Sequence, residues 1–246
     1  MNKNFKLTIQ YDGTRYKGWQ RLGKGENTIQ GKIENVLTEM AGYPIEIIGS
    51  SRTDAGVHAL AQVANVKLNL NITVHELKSY LNRYLPEDIS VTKVEMVHER
   101  FHARYNSADK TYVYKIWNEA YSHPFLRKFS MHVAEPLKLD QMKQASSYFI
   151  GEHDFTAFSN AKSKKKSNVR TIQSIDFLTK DGLLEIRIKG DGFLYNMVRK
   201  IIGTLIKVGL GEMKAEAIPG ILESKEREHA GFADANGLYL EAIEFK

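Results

Sequence analysis

The chain has 246 residues, 42% of them apolar and 26% charged, which suits a soluble core in one large domain or two small ones. It contains no cysteine, which excludes disulfides and thiolate metal sites and fits a reducing, cytoplasmic setting. The net charge of +6 is compatible with a polyanionic partner such as RNA, and no run approaches the roughly 20 apolar residues of a membrane helix.

The opening residues lack the uninterrupted apolar segment of a signal peptide. In "FKLTIQYDG", Phe5, Leu7, Ile9 and Tyr11 alternate with polar residues, the period of a half-buried strand. Asn27 is expected to open a helix with Gln30 as its capping-box partner and Ile33, Val36, Leu37 and Met40 as its apolar stripe. "PIEIIGS" and "ALAQVANVKL" read as two strands flanking the stretch "GSSRTDAGVHA". Thr73 and Glu76 form a second capping box, and Leu77, Leu81 and Leu85 continue a helix that Pro86 stops. "ISVTKVEMV" is the next strand.

A second set follows. "KTYVYKIWN" alternates as a strand, and "DQMKQASSYFIG" reads as a short helix closed by Gly151. "IDFLTKDGLLEIRIKG" predicts a hairpin turning at Asp181-Gly182. "NMVRKIIGTLIKVG" predicts a helix with Val198, Ile201, Ile202 and Leu205 inward, and Pro219 suits the first turn of a last helix. "GLYLEAIEF" closes the chain as a strand. Hairpin-joined strands interspersed with helices indicate an α+β fold, expected as two halves, 1–105 and 106–246, with no sequence repeat between them. The Lys/Ser-rich stretch 159–170 reads either as a solvated loop or as a phosphate grip through Lys162, Lys164, Lys165, Lys166 and Arg170.

Two motifs could carry chemistry. "HERFH", His98 to His102, matches the zincin pattern, but that pattern requires a helix, and the residues before it alternate as a strand. In "SSRTDAGVHA", Thr53 to Gly56 could be an ordinary β-turn. Arg52 stands two residues before Asp54, on the same face of an extended segment, where a cation would favour the ionised carboxylate that a nucleophile requires. A surface ion pair fits the same spacing.

"SRTDAGVHA" resembles the active-site segment of the tRNA pseudouridine synthase A family. "YDGTRYKGWQ", "FHARYNSADKTYVY", "GEHDFTAFS", "FLYNMVRKIIGTLIKVG" and "GLYLEAIEF" resemble that family in the same order, across nearly the whole chain. Ser51 departs from the glycine usual in the family before Arg-Thr-Asp, so a slightly altered loop path is expected.

The resemblance implies isomerisation of uridine to pseudouridine at positions 38, 39 and 40 of the tRNA anticodon stem-loop, without redox cofactor, ATP or metal. It implies two pseudo-symmetric α/β halves whose antiparallel sheets flank a central RNA-binding cleft, and a cytoplasmic homodimer. Asp54 would be the essential carboxylate, attacking C6 of the base or C1′ of the ribose, or deprotonating C2′. Tyr112 would stack on the extruded uracil and assist removal of the C5 proton, whereas Tyr114 suits the core. Arg52 would stabilise Asp54 or contact a phosphate, and Arg199 would lie near the carboxylate. His58 and Arg104 are further candidates for RNA contact, His58 being equally readable as a hydrogen-bonded turn residue. A non-catalytic RNA-binding protein and a zinc hydrolase are the competing classes.

Overall fold

The computed structural model describes residues 3–23, 25–160 and 167–246. Lys162, Lys164, Lys165 and Lys166 lie outside the described residues, so the phosphate-grip reading of that loop rests on sequence alone. The fold is α+β, with five helices and ten strands among the described residues. The chain forms two compact units, residues 1–108 with 239–246, and residues 109–238. The first unit therefore takes back the last strand, which a division at 105 assigned to the second half.

In the first unit, β1 (Lys3–Tyr11) pairs antiparallel with both β3 (His58–Leu68) and β4 (Ile89–Val97). The closing strand β10 (Leu238–Phe245) joins β3 in parallel, Tyr239 opposite His58 and Leu240 opposite Ala59. A parallel neighbour needs a long connection, here everything between the two strands, which is why local pattern cannot announce it. Phe5, Leu7, Ile9 and Tyr11 are buried, as their alternation requires.

Helix α1 (Ile29–Ala41) begins one residue later than the sequence suggests. Thr28, with extended backbone, accepts from the Gly31 amide at 3.3 Å, whereas the Asn27 side chain donates to the Arg15 carbonyl. Gln30 is buried and donates to Glu34 and to the Ile47 carbonyl, so it closes no capping box. The expected strand "PIEIIGS" shrinks to β2 (Ile48–Gly49) against β3. Ile45 and Ile47 do alternate inward, but their amides donate to Thr38 and Glu34 side chains of α1, so no ladder extends there. Helix α2 (Val74–Tyr84) carries the anticipated Thr73/Glu76 capping box and packs on β4.

In the second unit, β5 (Ser107–Trp117), β9 (Leu183–Gly190), β8 (Val169–Lys180) and β7 (Gly151–Asp154) form an antiparallel order, with β6 (Met131–His132) parallel to β5. The β8–β9 hairpin turns at Asp181 and Gly182, both with positive φ, as a type I′ turn demands. Helix α3 (Leu139–Ser147) ends before Gly151, whose φ of +98° instead starts β7. Helix α4 (Met197–Leu210) buries Val198, Ile201, Ile202 and Leu205, and also Lys200, Gly203 and Thr204 on another face. That second buried face receives the segment 227–234. Gly231 packs on Gly203, Gly231 N–H donates to Thr204 Oγ1 at 2.8 Å, and Lys200 Nζ donates to the Arg227 carbonyl. Helix α5 (Ala217–Ser224) holds Pro219 in its first turn, and a single 3-10 turn, Ala235–Gly237, leads into β10.

Candidate active site

The loop carrying Asp54 leaves β2 and enters β3. Thr53 is buried and its hydroxyl bonds the Tyr11 hydroxyl at 2.8 Å, at the end of β1. On either side of it Arg52 is exposed and Asp54 half-buried, the alternation of an extended chain. The Asp54 carbonyl then accepts from Val57 N–H at 3.2 Å, closing a β-turn whose third residue, Gly56, has φ +78°. The turn therefore spans Asp54–Val57, one residue later than the Thr53–Gly56 that the sequence suggests, and it presents the carboxylate at its first position.

The segment "YDGTRYKGWQ" braces this turn. Trp19 N–H donates to the Thr53 carbonyl and Gly56 N–H to the Tyr16 carbonyl. A Cβ on Gly18 would lie 2.5 Å from the Thr53 carbonyl oxygen, and one on Gly13 2.0 Å from that of Val57, so these glycines permit the approach of the two loops. Tyr16 in turn donates to Asp88, which Arg15 also grips, and burial together with that carboxylate pushes the Tyr16 hydroxyl pKa well up. The two motifs occur together in the sequence because one is the scaffold of the other. Ser51 tolerates its position: its φ is not positive, and Gln62 bonds its carbonyl and its N–H.

His58 is 1% exposed, takes the Gly13 N–H on Nδ1 at 3.0 Å and stacks on Tyr239 with centroids 4.7 Å apart. An enclosed ring has no face to offer RNA, so the direct-contact reading of His58 gives way to the turn-residue reading. Arg52 and Arg104 differ. Both are exposed, and both line one groove of about 250 Å³ in the first unit with Gln20, Gln30, His102 and Tyr105. Neither guanidinium pairs with a carboxylate among the described residues.

The "HERFH" match falls on the exit of β4 and a turn, not on a helix. His98 Nδ1 accepts the Arg100 N–H, and His102 Nδ1 accepts those of Arg104 and Tyr105. The shared helical face on which the zincin reading depends is absent. His102 acquires a different part, which the decoy motif had obscured.

In the second unit, Tyr112 lies on β5 opposite Ile188, 5% exposed, its ring edge-on to Phe193 at 5.1 Å. Tyr114 is fully buried and donates to the Asp234 carbonyl at 2.8 Å; burial drives its pKa far upward, fixing it as a core hydrogen-bond donor. Arg199, in the first turn of α4, donates from Nε to the Ala233 carbonyl at 2.8 Å and lays its guanidinium 4.1 Å over the Phe232 ring. It is therefore an oriented cation. Ser159, the last residue of "GEHDFTAFS", donates from its hydroxyl to the Tyr195 carbonyl at 3.4 Å, and the adjoining Asn160 binds Tyr195 and Asn196 just before α4, which ties that motif to "FLYNMVRK". Phe193, which sets Tyr112, opens the motif "FLYNMVRKIIGTLIKVG" but was not singled out, and Phe232, which sets Arg199, lies outside every motif and carried no sequence signal.

The sequence model of the tRNA pseudouridine synthase family matches residues 7–106 and 145–246. Tyr112 lies between the two matched segments. The "tRNA pseudouridine synthase A" of Bacillus sp. (strain KSM-64) is 69% identical over 98% of this chain and 99% of that protein. The "tRNA pseudouridine synthase A 2" of Bacillus anthracis is 62% identical over 98% of this chain and 99% of its own length. The "tRNA pseudouridine synthase A" of Acetivibrio thermocellus is 46% identical over 97% of this chain and 98% of its own. The chain belongs to the tRNA pseudouridine synthases, isomerases that convert uridine to pseudouridine within tRNA.

Proposed function

We propose that this enzyme isomerises uridines 38, 39 and 40 of the tRNA anticodon arm, acting as a cytoplasmic homodimer with Asp54 as the catalytic carboxylate. The observation that carries the Asp54 assignment is the braced turn: Thr53 is sewn inward by Tyr11 and Trp19, and Asp54 is left half-buried on a backbone that cannot drift. Preorganisation of that kind is what a catalytic group needs.

In the reaction the C1′–N1 bond breaks, the uracil turns, C5 bonds to C1′, the C5 proton departs and N1 is protonated. Atoms and electrons are conserved, so no oxidant or energy donor is consumed. Attack by the carboxylate at C6 or at C1′, and deprotonation of C2′, all require the ionised form of Asp54. The target base must leave its stack, which costs a few kcal/mol and is offset by protein contacts. Tyr112 is assigned to stacking on the uracil and to removal of the C5 proton, Arg199 to orienting the substrate, and Arg52 and Arg104 to the RNA backbone.

The test is pseudouridine mapping on unmodified tRNA transcripts with wild type and Asp54→Asn, metal chelated, alongside tRNA binding. Pseudouridine confined to the anticodon arm, absent with Asp54→Asn while binding persists, is expected. Normal turnover by Asp54→Asn refutes the catalytic assignment, and modification elsewhere in the tRNA refutes the anticodon assignment. Sedimentation of the free protein as a monomer removes the dimer.

A further inference from the structure

The groove beside the catalytic loop has a composition that the bond exchange at one uridine does not use. Tyr105 is 79% exposed, yet its ring is held: it stacks on His102 at 4.1 Å with the planes 26° apart. His102 is itself fixed, because Nδ1 accepts the Arg104 and Tyr105 N–H groups and its backbone N–H donates to Asn106 Oδ1 at 2.7 Å. An ordered aromatic that shows most of its surface to water has made no use of its apolar area in folding.

Arg52 and Arg104 line the same groove, and neither is neutralised by a carboxylate among the described residues. Two unpaired cations sharing one groove repel each other, and an anion between them removes that penalty. Gln20 lines it too. Its amide nitrogen donates to Gln30 Oε1 at 2.8 Å, which fixes the side chain and leaves its carbonyl oxygen as an acceptor. A stacking face, a phosphate clamp and an oriented amide are together the recognition set for one unstacked nucleotide.

We propose that this groove binds a second, unpaired nucleotide of the RNA adjoining the target uridine, its base on Tyr105 and its phosphate between Arg52 and Arg104. The inference rests on the pseudouridine synthase reading of Asp54, since Arg52 joins the groove to that residue. The two are two positions apart, so their Cα atoms lie within about 7 Å. Extruding a neighbour along with the target keeps the strand locally unpaired while the uracil turns, and the stacking lost by the neighbour is regained on Tyr105.

The test uses anticodon-arm RNA hairpins with 2-aminopurine on the 5′ or the 3′ side of the target uridine. Binding to wild type and to Tyr105→Phe is expected to quench one of the two probes, whereas Tyr105→Ala abolishes that quench and raises Kd about 5- to 160-fold, the range of base–aromatic stacking. Because the side chain is so exposed, folding is unaffected, and circular dichroism checks this. Arg104→Gln should reduce the slope of log Kd against log salt by about one. Identical quenching and affinity in Tyr105→Ala overturn the stacking site even if wild type makes pseudouridine normally, and an unchanged salt slope overturns the phosphate clamp. Absence of pseudouridine with the quench intact refutes the catalytic reading instead, so the two failures are distinguishable.

Discussion

Replacing Gly203 by alanine should destabilise the second unit, although the same change at an ordinary helix position stabilises. Alanine is favoured over glycine inside a helix by about 1 kcal/mol. At Gly203 the new Cβ would stand 2.3 Å from the Phe232 nitrogen and 2.7 Å from the Gly231 carbonyl carbon, both backbone atoms, so segment 227–234 must withdraw from α4. Overpacking of this kind costs about 1–3 kcal/mol. Withdrawal also stretches the Gly231–Thr204, Ala233–Arg199 and Tyr114–Asp234 hydrogen bonds, each worth about 1 kcal/mol. With these three bonds weakened by about 2 kcal/mol in all and the helix-propensity gain of about 1 kcal/mol set against the loss, the net destabilisation is about 2–4 kcal/mol, which lowers Tm by about 4–16 °C. Gly220→Ala is the control: it lies in α5 with nothing within 4 Å of the added Cβ, and stability should be unchanged or raised by up to about 1 kcal/mol. Thermal denaturation of both variants is the assay. An unchanged or raised Tm for Gly203→Ala would refute the packing of this segment on α4. Arg199 loses its hold on Ala233 in the same variant, so turnover should fall more than tRNA affinity.

Asp154 offers a pH test. Burial pushes its carboxyl up, but hydrogen bonds from Lys225 and Thr156 outweigh burial and hold the pKa below the ordinary value of 3.8. A depressed folded-state pKa contributes stability above the unfolded value, and that contribution is lost as pH falls through the folded one. Urea denaturation should therefore find Asp154→Asn about 1 kcal/mol less stable than wild type at pH 7, with the gap closing below pH 4; a gap that persists in acid would show that the charge is not its source. For Tyr112→Phe, release of tritium from C5-labelled uridine in tRNA should slow more than binding weakens. A pure binding defect would leave Tyr112 as a stacking surface only.

Much of the site is legible in the chain because its parts are short-range. Arg52, Thr53 and Asp54 alternate outward and inward as an extended segment must, Gly56 turns the chain, and Asp181-Gly182 turns the hairpin. The capping box at Thr73 and Glu76 is equally local. The misreadings share a cause. "PIEIIGS" has a strand's alternation, but the partners of its amides are side chains of α1, which no pattern within the segment reveals. Gln30 stands three residues after Asn27 as a capping partner would, yet burial redirects it toward Glu34 and Ile47.

The sequence by itself determined the helices, most strands, the two hydrophobic sets and the Asp54 turn, because periodicity and turn chemistry act over a few residues. Resemblance added the reaction. Only the tertiary structure decided which polar residues face inward and which remain free to bind. It enclosed His58 beneath Tyr239, left Arg52 and Arg104 in one groove with no carboxylate partner among the described residues, turned His102 from an apparent metal ligand into the support of Tyr105, and returned β10 to the first unit. Each of these depends on residues some 50 to 180 positions apart or on a turn's exact hydrogen bonding, and chain entropy leaves such meetings open until the whole core closes around them.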